Sequence, residues 1–294
     1  MFSNLALSGG AFRSVTLLGA IKYLEEINIL HKFNNYIGAS AGAIILFFYI
    51  IGYTPDEILQ ILNDEINYLT NLNFDNLTNI YTDLGIDDCS KNENILRKYL
   101  YAKTNLNSIT FIEFAKKFGR NLIITGANLD TENVDYFSVD TFPDMDVVLS
   151  LLITSCIPLV YKPIKFNDNL YVDAGIYSNF PVDYFEKNSN DTLGICIFSK
   201  NDIKNDNLFN YINNIIYSVM NKLSYDYINK HKDKYNICFI NFETSCVNDI
   251  NFSFSKLKID IKNDIINEYM NFGYNQFKHY YQNNLLIKDK IIKD

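Results

Sequence analysis

The chain has 294 residues, of which 48% are hydrophobic and 15% aromatic. This apolar content is enough to form a buried core, so we expect a globular protein. Its formal net charge of −8 argues against a nucleic-acid partner, which would require a basic surface. The longest apolar run, residues 43–51, is far shorter than the roughly 18 residues of a membrane span. The five cysteines are odd in number and widely spaced, so we expect reduced thiols packed in the interior: Cys89, Cys156, Cys196, Cys238 and Cys246.

We expect neither a secretory signal nor an N-myristoylation site at the amino terminus. No basic segment precedes an apolar stretch, and Phe2 stands where N-myristoylation requires glycine. We therefore expect a protein that is cytoplasmic or peripheral on membranes.

Short apolar runs predict strands in this chain, and apolar residues three or four positions apart predict helices. In chain order the expected elements are strand 4–7, helix 14–27, strand 36–37, helices 43–51, 54–68, 93–102 and 110–118, strands 122–125 and 134–137, helix 143–157, strands 169–172 and 193–198, helix 208–228, strand 237–240 and helix 262–281. Residues 71–90 are irregular and predict a loop or a lid. The alternation favours an α/β architecture with a largely parallel sheet, and the absence of a linker favours one domain over residues 1–294.

Residues 38–42 read Gly-Ala-Ser-Ala-Gly and fit the G-x-S-x-G nucleophile elbow. In such an elbow Gly38 and Gly42 allow a strained strand-to-helix turn that presents the hydroxyl of Ser40. A small-residue packing turn is the alternative for the motif alone. Its place between a predicted strand and an apolar helix favours Ser40 as a nucleophile.

A glycine turn, Ser8-Gly9-Gly10-Ala11-Phe12-Arg13-Ser14, opens the first predicted helix. Its backbone N–H groups and the helix dipole could form an oxyanion hole, and a phosphate-type nest or a plain tight turn are the alternatives.

Asp173 follows the predicted strand 169–172 and precedes Ala174 and Gly175. A carboxylate at a strand end can point into a site, whereas an Asp-x-Gly surface turn is the simpler interpretation.

In this order the three motifs resemble those of the patatin-like phospholipase family. That family has a D/S-G-G-G-x-[RK]-G loop, a G-x-S-x-G elbow and a distal D-G-[GA]. Ser155-Cys156-Ile157-Pro158, with Tyr161 and Pro163 after it, resembles the segment that precedes the family's aspartate. The resemblance covers about residues 5–185, and residues 186–294 would be helical and strand additions.

The resemblance implies a three-layer sandwich with a central sheet and a serine–aspartate dyad. Ser40 would attack an ester carbonyl and Asp173 would take its proton, without a histidine. The other implied site residues are Gly9, Gly10, Ala11 and Arg13 at the oxyanion hole and Gly175 in the distal motif. The implied activity is hydrolysis of lipid acyl esters, of the phospholipase A or lysophospholipase type, on phospholipid or acylglycerol at a membrane surface. It implies no cofactor and no metal, as in calcium-independent members.

Three positions depart from the family pattern, because Ala11, Ser14 and Ala174 replace glycines. Alanine is strained wherever φ must be positive, so reduced activity is expected if the loop requires that conformation. A catalytically weak or silent lipid-binding or regulatory module is therefore an alternative.

Two further interpretations stay open at the level of sequence. An α/β-hydrolase triad could add His231 or His279 to Ser40 and Asp173, although Ser40 lies early for that fold, residues 230–232 suggest a solvated helix end, and His279 sits in a helical stretch among tyrosines. An acyltransferase would use the same acyl-enzyme with an alcohol in place of water.

Overall fold

A computed structural model describes residues 2–70, 82–199, 208–231, 233–242 and 263–286. The strands in these ranges are β1 (Asn4–Leu7), β2 (Asn35–Gly38), β3 (Gly85–Asp87), β4 (Asn121–Asn128), β5 (Asn133–Phe137), β6 (Leu159–Tyr161), β7 (Ile164–Phe166), β8 (Asn169–Val172), β9 (Thr192–Ser199) and β10 (Asn236–Phe242). Eight of them form one sheet in the order β10-β9-β1-β2-β4-β8-β7, with β5 paired to β4. The first five in this order are parallel, and β5, β7 and β8 pair antiparallel.

Helices connect the strands and cover the sheet. They are α1 (Val15–Glu26), α2 (Ala41–Ile50), α3 (Pro55–Thr70), α4 (Ser90–Thr104), α5 (Phe111–Phe118), α6 (Val147–Thr154), α7 (Gly175–Ser178), α8 (Leu208–His231) and α9 (Asn263–Tyr280). In the described part of the chain, none of the helices combines the length and the apolarity needed to cross a membrane.

The sheet has an apolar layer on each face because its central strands alternate their side chains between the two sides. On β1, Leu5 and Leu7 join the larger cluster, which α1, α2 and α3 cover. Ala6 points to the other face and joins a second cluster that includes Phe180 and Ile228, the latter from α8. The predicted α/β three-layer sandwich with a largely parallel central sheet is thus confirmed.

The C-terminal helix α9 packs against α1 with the two backbones in contact. A Cβ on Gly19 would collide with the carbonyl of Met270, and one on Gly273 would collide with the carbonyl of Thr16. The missing side chains of these two glycines therefore allow α9, in the C-terminal part of the chain, to pack closely against the first helix. A single domain over residues 1–294 stays a prediction.

The prediction of a helix from Pro143 was wrong at its start. Helix α6 begins at Val147, where the side chain of Asp146 caps it by accepting the amide of Leu149 at 3.0 Å. Residues 143–146 instead supply acceptors to the preceding helix, since the carbonyl of Pro143 accepts the amide of Ile112.

The prediction of a loop or lid over residues 71–90 was wrong at its C-terminal end. Residues 85–87 form strand β3, which pairs with the unpredicted strand β6, and α4 begins at Ser90. The remainder, residues 71–81, lies outside the described residues.

Candidate active site

The candidate site lies where two strands end along β4. Gly38, the last residue of β2, pairs with Ile124, and Val172, the last residue of β8, pairs with Ala127. Because β8 runs antiparallel to β4 while β2 runs parallel to it, the residues that follow the two strands approach each other. The sheet therefore brings residues 39–40 and 173 together across the chain.

A polar cluster holds β8 in this position. The hydroxyl of Tyr171 donates to Asp135 at 2.7 Å, and the side-chain amide of Asn128 donates to the same carboxylate oxygen at 2.8 Å. These partly buried bonds join β8 to β4 and β5 two residues before Asp173.

Ser40 lies at a strained turn between β2 and α2. Its backbone has φ 49° and ψ −128°, outside the regions that L-residues favour. The flanking glycines are needed because a Cβ on Gly42 would collide with the carbonyl of Ser8, and one on Gly38 would lie 2.5 Å from the amide nitrogen of Ala43. The chain thus has the local geometry of a nucleophile elbow.

The hydroxyl of Ser40 donates a hydrogen bond to Asp173, with 2.8 Å between Oγ and Oδ2. The other carboxylate oxygen accepts the amide of Gly175, also at 2.8 Å. Both side chains are buried, and the amide of Asp173 is held by the carbonyl of Cys156 at 2.8 Å. The two predicted residues are therefore in direct contact, although 133 positions separate them in sequence.

Burial raises the pKa of Asp173 from 3.8 to about 6, while the hydrogen bonds from Gly175 and Ser40 act in the opposite direction. Desolvation dominates because the carboxylate is buried and only these two donors offset the loss of its hydration. At neutral pH the group is ionised, and it is a stronger base than an exposed aspartate.

The glycine loop follows β1 and faces the elbow. Gly9 lies beside Ser40, since a Cβ built on it would be 3.2 Å from the Cβ of Ser40. Its amide already donates to the carbonyl of Asn179 at 2.8 Å, and the amide of Arg13 donates to Gly10 at 2.9 Å. Of the four residues predicted to frame an oxyanion hole, Gly9 and Arg13 therefore have amides engaged in backbone bonds.

The amides of Gly10 and Ala11 form no hydrogen bond with a residue that the structure describes, and the same holds for Ala41, the first residue of α2. Sequence reasoning did not name Ala41, although a residue directly after a nucleophile is a common oxyanion donor.

Only one of the three departures from the glycine pattern occupies a conformation that favours glycine. Ala11 has φ 45°, in the left-handed region. Ser14 has φ −61° and Ala174 has φ −55°, both helical, and Ser14 Oγ donates to the carbonyl of Ala11 at 2.6 Å. The expected strain is thus confined to Ala11.

Thr154 links the two ends of the site and was missed by sequence reasoning. Its Oγ1 accepts the amide of Ser40 at 2.8 Å, and its carbonyl accepts the amide of Ala174 at 3.4 Å. It is fully buried at the end of α6. Thr154 comes directly before the segment from Ser155 to Pro158 that sequence analysis had singled out, and this position is the one sign in the sequence that could have pointed to it.

Helix α8 contributes two residues that sequence reasoning also missed. A Cβ on Gly175 would collide with Cε of Met220. Burial raises the pKa of Tyr217 to about 12, the negative charge of Asp173 raises it further, and the positive charge of Arg13 lowers it. Tyr217 is therefore within electrostatic reach of the site.

Histidine takes no part in the hydrogen bonds that we find at Ser40 and Asp173. His279 is exposed and bonds Asn283, and His31 is exposed beyond the first helix. Within the described ranges, no group of three or more histidine, cysteine, aspartate or glutamate residues could hold a metal ion.

The family described as Patatin-like phospholipase has a sequence model that matches residues 5–186. The "Probable lipid hydrolase 463L" of Invertebrate iridescent virus 6 is 39% identical over 194 residues, which cover 62% of this chain and 62% of that protein. The "Uncharacterized protein YqhO" of Bacillus subtilis is 30% identical over 204 residues, or 64% of this chain and 68% of that one. The chain thus spans less than two thirds of the length of the viral relative.

Two solved structures share the fold. VipD from Legionella pneumophila superimposes with a TM-score of 0.56 at 13% identity, covering 96% of this chain and 67% of VipD. The type III effector protein ExoU superimposes with a TM-score of 0.52 at 13% identity, covering 96% of this chain and 53% of ExoU.

Proposed function

Because this chain belongs to the patatin-like phospholipase family, we propose that it hydrolyses acyl esters of lipids with Ser40 as nucleophile and Asp173 as general base. The observation that carries the proposal is the buried 2.8 Å hydrogen bond from Ser40 Oγ to Asp173 Oδ2. The name of the viral relative, a probable lipid hydrolase, supports a lipid substrate.

In the first step Ser40 Oγ attacks the ester carbonyl and passes its proton to Asp173. The raised pKa of Asp173, about 6, keeps the carboxylate ionised at neutral pH and makes it a better acceptor. The amide of Gly175 stays on Oδ1, so that Oδ2 faces the serine. No histidine or metal ion is required for this transfer.

The tetrahedral intermediate carries a negative charge that backbone amides would stabilise. Gly10, Ala11 and Ala41 are the proposed donors, since their amides form no bond to another described residue. Losing one such donor commonly costs about 3 kcal/mol of transition-state stabilisation. Collapse of the intermediate, with the proton returned from Asp173 to the leaving alcohol, gives an acyl-Ser40 enzyme.

Water then completes the cycle. Asp173, ionised again, takes a proton from water as the water attacks the acyl group. The second tetrahedral intermediate then collapses, the proton passes from Asp173 to Ser40 Oγ, and the fatty acid and the free enzyme are released. We propose phospholipid or acylglycerol at a membrane surface as substrate, with cleavage of the phospholipase A or lysophospholipase type.

The test is turnover of a medium-chain p-nitrophenyl ester and of labelled phosphatidylcholine, each with EDTA present. We expect the wild type and a His31/His231/His279 triple alanine variant to be active. Ser40→Ala and Asp173→Asn should each lose about a thousandfold or more in kcat. Asp168→Asn is the matched control for the aspartate, because its side chain is 99% exposed.

Activity that persists in Ser40→Ala, or that disappears in the histidine variant while the fold is intact, would contradict the dyad. A folded wild type that is inert on every ester would instead favour a silent lipid-binding module.

A further inference from the structure

Helix α8 has one face directed at the candidate site. Met220 lies against Gly175, and Tyr217 is near enough to Asp173 for the carboxylate charge to affect its phenol. The short helix α7, which begins at Gly175, packs on α8 and exposes Tyr177. The helix is therefore adjacent to the dyad.

The other face of α8 carries a row of exposed apolar side chains, which we call the α8 stripe: Tyr211, Ile215, Val219 and Leu223. Each is between 46% and 53% exposed. Residues four apart lie on one face of a helix, and at 1.5 Å per residue the stripe is about 18 Å long. At 100° per residue it points away from Tyr217 and Met220, so it projects outward beside the site.

The α8 stripe carries no net charge although the chain has a charge of −8. Residues 208–221 contain no charged side chain. Further along, Lys222 pairs with Asp226 at 2.6 Å, so these opposite charges compensate each other. Without an excess of cations, the stripe has no means to select anionic lipid.

A single row of four side chains suits a lipid surface better than a protein partner. A stable dimer buries about 800 Å² on each partner. Four side chains in a row about 18 Å long offer much less area than that. An apolar row needs no shape complementarity to enter the boundary between head groups and acyl chains. Tyr211 has the amphipathic ring that suits this boundary.

We propose that the α8 stripe docks the protein onto a zwitterionic lipid surface, which places the Ser40–Asp173 dyad beside the layer that holds its substrate. This inference rests on the proposed function for its choice of lipid as the occupant. Docking itself requires no turnover and can be measured in the Ser40→Ala variant.

The chain contains no tryptophan, so one introduced residue can report on the stripe. We would place tryptophan at Val219 in the Ser40→Ala background and, as control, at Ile112, which is 50% exposed on α5. On addition of phosphatidylcholine vesicles we expect a blue shift of emission for Val219→Trp and none for Ile112→Trp. The absence of a shift at position 219, or an equal shift at both positions, would overturn the proposal.

A matched pair of aspartate substitutions tests the same surface by loss of binding. Ile215 and Ile112 are 46% and 50% exposed, so Ile215→Asp and Ile112→Asp introduce one charge at similar exposure. In the Ser40→Ala background, co-flotation with phosphatidylcholine vesicles should weaken about tenfold for Ile215→Asp and stay constant for Ile112→Asp. Circular dichroism would verify that both variants are folded.

Three results would overturn the docking proposal: equal loss in both aspartate variants, stronger flotation with vesicles that contain phosphatidylserine, or a dimer in light scattering that Ile215→Asp dissociates. None of them depends on ester hydrolysis. Failure of the proposed function would appear instead as an inert wild type that still floats with vesicles.

Discussion

Replacement of Asp173 by asparagine should abolish activity and, at neutral pH, increase the stability of the fold. Burial raises the pKa of this carboxyl from 3.8 to about 6. Above pH 6 the ionised carboxylate of Asp173 therefore destabilises the folded protein. A difference of about two pKa units, at about 1.4 kcal/mol per unit, corresponds to about 3 kcal/mol. Asparagine removes the charge and keeps an oxygen for one hydrogen bond, from Gly175 or Ser40.

The sign follows from proton uptake. Between about pH 4 and pH 6 the folded state binds the proton of Asp173 while the unfolded state has released it, so the free energy of unfolding falls as pH rises. The stabilising effect of protonation is complete at low pH and is lost as pH passes about 6. Asp173→Asn should therefore unfold at a similar urea concentration to the wild type near pH 4, and at a higher one near pH 8.

Urea unfolding at pH 4 and pH 8 measures this effect, with Asp168→Asn as the exposed control. The gain in unfolding free energy from Asp173→Asn should be about 2 kcal/mol larger at pH 8 than at pH 4. In the wild type, kcat/KM should decrease as the pH is lowered, with an apparent pKa of about 6. A pH-independent effect of the substitution, or an acidic limb near pH 4, would refute the assignment of a desolvated base.

Three other substitutions test the surroundings of the dyad. Thr154→Val removes the acceptor of the buried Ser40 amide, so the free energy of unfolding measured in urea should fall by about 1–3 kcal/mol and kcat should fall as well. Thr154→Ser keeps the hydroxyl and should recover both values. Equal behaviour of the two variants would contradict a role for the hydroxyl. Ala11→Gly removes the strain of an alanine at φ 45° and should raise the free energy of unfolding by about 1 kcal/mol. Ser14→Gly, at a helical φ, should not raise it. A lower free energy of unfolding in Ala11→Gly would show that the strain is absent. Gly42→Ala would place a Cβ against a backbone carbonyl and should lower both Tm and kcat/KM, so wild-type values for both would contradict the close packing of the elbow.

Much of the fold could be predicted because its signals are local. The strand 169–172 was predicted with the bounds that the structure has, and the helix from position 208 differs only at its end, which lies at His231. Apolar periodicity encodes these elements directly. The start of α6 was missed because the capping residue Asp146, rather than the proline three positions earlier, determines it.

The candidate site could be predicted in part, since some of its residue types are constrained by the sterics of neighbours in sequence. Gly38 illustrates this, because its missing side chain leaves room for the backbone of Ala43, whereas Gly42 leaves room for the carbonyl of Ser8, which is distant in sequence. Thr154 could not be predicted, because its role depends on a bond to an amide 114 positions away.

By itself, the sequence determined the local motifs of this protein: a small-residue turn around a serine, a glycine loop and an aspartate at a strand end, each recognisable from residues within a few positions. Only the tertiary structure decided how these parts meet. The antiparallel course of β8 places Asp173 against Ser40, and burial there raises the pKa of its carboxyl. The backbone angle of Ala11 and the position of α8 beside the site likewise depend on packing between segments that are distant in sequence, which no local pattern records.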